Sequence, residues 1–171
     1  SRLYNQIQAN LIPELKAAIN GTAIPKKILY IDMDGVLVDF DSAIAQLPEA
    51  VRKSHEGKLD EVHGIFSMMQ PMQGAIEAFH RLCAKYGVYI LSTASWGNPS
   101  AWSDKLNWVT KYLGADAHKR LILTHNKHLN IGDYLIDDRL ANGAGEFQGE
   151  LIQFGTPNSP DWESILVRLG A

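Results

Sequence analysis

The sequence predicts an α/β protein: a doubly wound parallel sheet flanked by helices, with a small helical cap inserted after the first strand. A short, wholly apolar run lies at residues 28–31, and runs of the same kind, mainly apolar, recur at 87–93, 120–124, 134–137 and 150–154. Such runs are typical of strands that are buried on both faces. Helical patterns at 74–86, 100–113 and 160–169 separate or follow them. Strands that alternate with helices favour a parallel sheet.

The chain divides into three predicted parts: an N-terminal helical arm (1–26), the α/β core (27–38 and 74–171) and the cap (39–73). The arm carries an apolar stripe at helical spacing, interrupted by Pro13 and ended by Gly21; its members are Leu3, Ile7, Leu11, Leu15 and Ile19. This stripe packs either on its own domain or across a homo-oligomer interface. For the last helix, the sequence predicts Ser159 as N-cap and Pro160 as the first helical residue.

Composition excludes several classes of protein. The 171 residues carry a formal net charge of -3 and contain no run of Lys or Arg, so a nucleic acid polymer is not an expected partner. No stretch approaches the roughly 20 apolar residues of a membrane span, and the N-terminus lacks the pattern of a secretory signal. A soluble, cytoplasmic protein is therefore expected. Cys83 is the only cysteine, which excludes an internal disulfide, and we expect His125 and His128 to be solvated rather than zinc ligands.

The first predicted strand ends in two carboxylates. Asp32 and Asp34 are two residues apart, so on an extended chain they project to the same side. Two like charges beside buried apolar residues need a cation nearby. Gly35 then allows the chain to turn sharply.

Polar groups also follow the other predicted strands. They are Ser92 and Thr93, then Lys127, then Asp137 and Asp138. Ligands of open α/β sheets bind at the carboxyl ends of the strands, and Mg²⁺ takes carboxylate and phosphate oxygens. Each motif alone is common, and hydroxyl groups such as these also cap helices or pair with the backbone. The ordered set of four motifs is specific.

These motifs resemble those of the haloacid dehalogenase superfamily of phosphotransferases, whose core is Rossmann-like. The residues are IDMDGVLVDF (31–40), YILSTAS (89–95), Lys127 and LIDDR (135–139). More narrowly, the chain resembles the 5′(3′)-deoxyribonucleotidases in NWVTKYLG (107–114) and LTHNKHLNIGDYLIDDR (123–139). The resemblance spans roughly residues 28 to 155.

The resemblance implies a catalytic role for each matching residue. Asp32 is the nucleophile, and Asp34 is the general acid and base. Ser92 and Thr93 bind the transferring phosphoryl group. Lys127 neutralises phosphate charge and orients Asp32. The second Asp separates phosphatases from the dehalogenases of the superfamily.

The resemblance also implies a Mg²⁺ site. Its ligands are Asp137 and Asp138, with Asp32 and the backbone carbonyl of Asp34. The expected partner is a small phosphate ester, first of all a deoxyribonucleoside monophosphate, hydrolysed through an aspartyl-phosphate.

The cap is shorter than the helical cap that supplies base-binding aromatic groups in these nucleotidases. Phe40 and Trp96 are the named candidates for substrate contact, although core packing is at least as good an interpretation for either. The same alternatives hold for the apolar residues Ile65, Phe66, Met68 and Met69, with packing favoured for the methionines. Trp102, Trp108 and Trp162 are interpreted as packing residues.

Three other functions remain open. A phosphatase of a sugar phosphate would use the same chemistry. A receiver-type phospho-accepting domain also combines Asp, a hydroxyl group and Lys, but it needs neither Asp34 nor a cap. A non-catalytic binding relative would not need intact motifs.

Overall fold

The structure, a computed structural model, describes residues 2, 3, 5, 6 and 12–171. Ile7 and Leu11 of the predicted stripe lie outside the described residues. Residues 2, 3, 5 and 6 are helical, Ile12 is extended, and helix α1 (Pro13–Asn20) begins at Pro13, a residue that suits the first helical position. Gly21 ends α1 in the left-handed conformation, with φ 63°.

The main sheet has five parallel strands: β1 (Ile28–Ile31), β4 (Gly87–Ser92), β5 (Leu121–Leu123), β6 (Tyr134–Asp137) and β7 (Glu150–Gln153). Their order in the sheet is β5-β4-β1-β6-β7. A separate two-stranded sheet consists of β2 (Val38–Asp39) and β3 (Gln70–Pro71). Since β1 is central, the ends of β4 and β6 lie on either side of it. The predicted fold class is confirmed.

The remaining helices are α2 (Phe40–Ile44), α3 (Glu49–Ser54), α4 (Ala75–Lys85), α5 (Pro99–Leu113) and α6 (Trp162–Leu169). Buried residues of α4, α5 and α6 form one hydrophobic cluster with Leu29 and Ile31 of β1. Tyr30 points to the other face, where it packs in a smaller cluster with Leu135 and Phe147. None of the described helices is long and apolar enough to cross a membrane.

The predicted start of the last helix was wrong by two residues. Asp161 is the N-cap of α6, and its carboxylate accepts a hydrogen bond from the backbone N–H of Ser164 at 2.9 Å. The Ser164 hydroxyl in turn accepts a hydrogen bond from the Asp161 backbone N–H, which completes a capping box. Ser159 instead lies in a turn, where its N–H donates to the carbonyl of Thr156.

The segment 39–73 is joined to the core at its base and along α5. The antiparallel pair of β2 and β3 closes the base. Asn98 Nδ2, just before α5, donates to the carbonyls of Asp60 and Val62, both at 3.0 Å. Ile65, Phe66 and Met69 are buried in the main cluster. We propose that this segment is the cap, packed firmly on α5.

Two of the three tryptophans interpreted as packing residues are buried in the core. Trp108 and Trp162 are buried. The indole of Trp162 donates to the carbonyl of Val36 at 2.9 Å and so supports the turn after β1. Trp102 is half-buried. Cys83 is half-buried as well, and burial raises the pKa of its thiol to about 11, so the thiol is protonated at neutral pH.

Candidate active site

The site lies at the carboxyl ends of β1, β4 and β6. Asp32 directly follows β1, and its backbone N–H donates to the carbonyl of Ile136 in β6. Ser92 is the last residue of β4, and Asp137 is the last residue of β6. Because parallel strands end at one edge of a sheet, residues far apart in the sequence meet here.

Lys127 joins two of the predicted carboxylates. Its Nζ donates to Oδ1 of Asp32 at 2.9 Å and to Oδ2 of Asp137 at 2.5 Å. The three side chains are only 3–4% exposed. Asp137 also accepts from the backbone N–H of Arg139 at 3.0 Å, which fixes its orientation.

Burial makes this cluster costly to ionise. It raises the pKa of Asp32 to about 7, against the lowering effect of Lys127, and Asp137 raises the pKa further. Burial also raises the pKa values of Asp137 and Asp138. A further cation is therefore needed if all three carboxylates are to be charged at neutral pH.

The donor set fits a divalent cation. Asp32, Asp137 and Asp138 each offer an oxygen, and these oxygens lie within 4.8 Å of one another. Oδ1 of Asp138 is buried and has no hydrogen-bond partner within the described part of the chain. Gly35, with φ 76°, lets Asp138 approach, because a Cβ there would collide with the carboxylate. Oxygen-only ligands suit Mg²⁺.

Asp34 stands apart from these three carboxylates and is paired with a second lysine. Lys105 Nζ donates to Oδ2 of Asp34 at 2.8 Å and to the hydroxyl of Ser92 at 2.7 Å. If Asp32, Asp34, Asp137 and Asp138 are ionised, the two lysines leave two negative charges, which a divalent cation would balance.

Sequence reasoning missed Lys105. It lies on the apolar stripe of α5, in register with Ala101, Trp108 and Val109, and it is fully buried. A lysine at a core position of a helix is the signal that could have found it, because a buried charge requires a partner.

The hydroxyl group of Thr93, predicted to bind the phosphoryl group, makes a hydrogen bond to the backbone. Its hydroxyl donates to the carbonyl of Thr124 at 2.7 Å, so this hydrogen is already used. The Ser92 hydroxyl accepts from Lys105, so its own hydrogen is free to be donated to a phosphoryl oxygen. Ser92 therefore has the free hydroxyl hydrogen but is fully buried, whereas Thr93 lines the neighbouring cleft.

A cleft of about 870 Å³ opens beside Asp34 and Asp138. Phe40 lines it and packs edge-on against Phe66, with the ring centres 5.9 Å apart. Trp96 lines the rim and is 81% exposed. Met68 and Met69 are not among its lining residues. Another cavity, of about 900 Å³ between α5 and β5, has no carboxylate in its described lining.

The two histidines considered for zinc are placed differently. The ring of His125 lies against those of Trp96 and Trp102, with centres 5.6 and 6.0 Å away. His128 is 4.0 Å from Glu146. Among the described residues, neither belongs to a group of potential metal ligands.

Comparisons with known proteins identify the family of the chain. The family model of 5′ nucleotidase, deoxy (pyrimidine), cytosolic type C protein matches residues 48–166. The chain belongs to this nucleotidase family. It is a phosphatase, and its fold is that of haloacid dehalogenase-type hydrolases.

Relatives of this nucleotidase family member carry the same kind of name. A Vibrio phage KVP40 protein, provisionally named a 5′(3′)-deoxyribonucleotidase, is 54% identical over 155 residues, which are 91% of each chain. The 5′(3′)-deoxyribonucleotidase of Bacillus subtilis is 27% identical over 153 residues, 78% of this chain and 88% of that one. The Bacillus subtilis hydrolase YfnB, whose crystal structure contains magnesium, shares the fold: the TM-score is 0.57 at 14% identity, covering 86% of this chain and 100% of that chain.

Proposed function

We propose that the chain is a Mg²⁺-dependent phosphomonoesterase that hydrolyses nucleoside monophosphates, deoxyribonucleotides first, through an aspartyl-phosphate on Asp32. One observation carries the proposal: three carboxylates converge within 4.8 Å beside Lys127, at the base of an open cleft. This arrangement suits a nucleophile that must attack an anion. The names of the relatives support the choice of substrate.

The residues that would hold Mg²⁺ are Asp32, Asp137 and Asp138, with the backbone carbonyl of Asp34. Bound there, the ion supplies positive charge that neutralises the phosphate and orients it toward Asp32. Lys127 contributes a second positive charge through its contacts with Asp32 and Asp137.

In the first half of the reaction, a carboxylate oxygen of Asp32 forms a bond to phosphorus as the bond to the ester oxygen breaks. Asp34 gives its proton to that departing oxygen, and the phosphoryl group remains on Asp32. The Ser92 hydroxyl donates a hydrogen bond to a phosphoryl oxygen during the transfer.

In the second half, a water oxygen forms a bond to phosphorus and the Asp32 carboxylate leaves. Asp34 accepts the proton of the water, which restores both carboxyl groups to their initial states. Inorganic phosphate is released. One residue can serve as acid and then as base because the two halves move the proton in opposite directions.

Phe40, Phe66 and Trp96 support an aromatic base as the rest of the substrate. They all line the cleft that also contains Asp34. A sugar phosphate is the second candidate, since Asp41, Asp60 and Glu61 line the same cleft and carboxylates accept hydrogen bonds from sugar hydroxyls.

Phosphate release from a panel of esters tests the function. The panel contains deoxy- and ribonucleoside 5′- and 3′-monophosphates and sugar phosphates, each with Mg²⁺ or with excess EDTA. We expect the fastest turnover with deoxyribonucleotides and a loss of at least about 100-fold in EDTA, because the carboxylate cluster cannot bind phosphate unaided. Equal or faster turnover of sugar phosphates would overturn the nucleotide assignment, and activity that survives EDTA would overturn the metal requirement.

Trp96→Ala tests the base contact. Stacking on an aromatic side chain contributes about 1–3 kcal/mol per base, so KM for the preferred nucleotide should rise about 5- to 150-fold. KM for 2-deoxyribose 5-phosphate, which has no base, should not change. Thermal stability should also stay constant because Trp96 is 81% exposed.

The control is Leu129→Ala, which removes another exposed apolar side chain outside the cleft lining. It should leave both KM values unchanged. Equal effects of Trp96→Ala on the nucleotide and on the sugar phosphate would show that Trp96 does not bind the base.

A further inference from the structure

Lys105 is a buried cation inside the proposed active site. Its side chain is 0% exposed. Its ammonium donates to Oδ2 of Asp34 at 2.8 Å, to Oγ of Ser92 at 2.7 Å and to the carbonyl of Thr93 at 2.8 Å. The ring of Phe66, from the cap, lies over it with its centre 4.7 Å from Nζ.

These contacts use the whole hydrogen-bonding capacity of the ammonium. A lysine has three N–H donors, and each has an acceptor at 2.7–2.8 Å. No donor remains for a substrate phosphate, and Phe66 covers a further side of the ammonium. Lys105 is thus unlike Lys127, whose ammonium contacts the predicted nucleophile itself.

Asp34 is the only one of the three acceptors that is a carboxyl group. Ser92 and Thr93 belong to the end of β4 and the loop that follows it, so they anchor the ammonium to the sheet. The anchored ammonium then holds Oδ2 of Asp34. Asp34 lines the cleft together with Asp138, but it does not belong to the carboxylate cluster of Asp32, Asp137 and Asp138.

We propose that Lys105 is a positioning residue that holds the Asp34 carboxylate beside the leaving group and away from the metal cluster. The inference rests on the proposed function, in which Asp34 protonates the departing oxygen. Without Lys105, Asp34 is free to turn toward the metal cluster. Loss of Lys105 should therefore reduce kcat most for esters whose leaving oxygen needs a proton.

Lys105→Met tests this, because methionine approximates the length of the side chain without its charge or donors. With the nucleotide preferred in the panel, kcat should fall about 100-fold, the range of general acid catalysis, and KM should change less than about threefold. The burst of phenolate release from 2,4-dinitrophenyl phosphate should change less than about threefold, because this leaving group departs without a proton. Lys111→Met, at an exposed position of the same helix, is the matched control.

A double-mutant cycle with Asp34→Asn gives the second readout. If Lys105 acts through Asp34, Lys105→Met should cost less than about threefold in the Asp34→Asn background. A full loss of about 100-fold in that background, or an equal loss in the dinitrophenyl burst, would overturn the proposal. Lys105→Gln, which retains donors without charge, takes the place of Lys105→Met if thermal melts show that the methionine variant does not fold.

The two proposals fail in different ways. If the wild-type protein hydrolyses no ester of the panel, the proposed function fails and this inference fails with it. If the wild type is active and the cycle is multiplicative, only the role of Lys105 is overturned.

Discussion

Asp32→Asn should lower kcat/KM by at least about 10⁴-fold for every ester that the wild-type protein hydrolyses, a loss in the range seen when a catalytic nucleophile is removed. The amide cannot form the covalent bond to phosphorus that the mechanism requires. It also removes one negative charge from the carboxylate cluster. Asp32 is 3% exposed and directly follows β1, so the strand fixes its position.

Steady-state phosphate release with saturating Mg²⁺ measures this loss. A rapid acid quench of the wild type, followed by peptide mass spectrometry, should place the phosphoryl group on the peptide that contains Asp32. Asp116→Asn is the control, since its carboxylate is half-exposed and pairs with His80 outside the cleft lining. An Asp32→Asn variant that retains a tenth of the activity would mean that water attacks the ester directly.

In EDTA, the stability of Asp32→Asn should fall less than that of the wild type as the pH rises. The pKa of Asp32 rises from 3.8 to about 7 on folding, so the folded state binds the proton more tightly than the unfolded state does. The resulting stabilisation is present below pH 3.8 and is lost as the pH rises through about 7. Asparagine does not ionise, so it contributes no loss of stability as the pH rises. The wild type in EDTA should therefore lose more stability than Asp32→Asn between pH 5 and pH 8, a range chosen to bracket that pKa.

Lys127→Met should have the second-largest effect, on stability as well as on activity. Its ammonium contacts two buried carboxylates, Asp32 and Asp137. Removing one partner of a buried ion pair costs about 3–5 kcal/mol. For a domain of this size, that corresponds to a fall in Tm of roughly 6–20 °C. Phosphate release should fall about 10³-fold, because a charge next to the nucleophile is lost.

The pH range of this effect follows from the pKa of Lys127. Burial alone would lower that pKa, but Asp32 and Asp137 outweigh it and raise the value above 10.5. A raised lysine pKa stabilises the fold fully below 10.5 and less as the pH rises further. The whole contribution is therefore present at neutral pH, where Tm should be measured by circular dichroism in EDTA.

A second substitution separates the two consequences of Lys127→Met. Asp32→Asn/Lys127→Met removes both charges of one pair, so Tm should recover in part while activity stays absent. Lys111→Met controls for the loss of an exposed lysine. A Tm for Lys127→Met within about 2 °C of the wild type would contradict a charged, buried triad.

The sequence alone predicted the sheet and the residues at its edge. Runs such as 28–31 and 134–137 are strands in the structure because successive apolar residues of a strand point to opposite faces, and both faces can be buried only between two layers. The polar residues that directly follow these runs could be assigned to one edge, because parallel strands all end on the same side. The convergence of Asp32, Asp137 and Asp138 follows from local order along the chain and from this one rule of topology.

Only the tertiary structure decided which charges pair and which aromatic groups face the cleft. Lys105 and Asp34 are 71 residues apart, and no local pattern encodes their contact. Phe66 and Trp96 are both large apolar side chains outside the α-helices and strands, yet one is 3% exposed and the other 81% exposed. Burial of such a residue depends on what packs over it. In this protein, the packing of segment 39–73 against α5 decides which of these side chains are buried. The free energy of burying a charge or a ring depends on all the residues packed around it, so one residue's identity does not determine it.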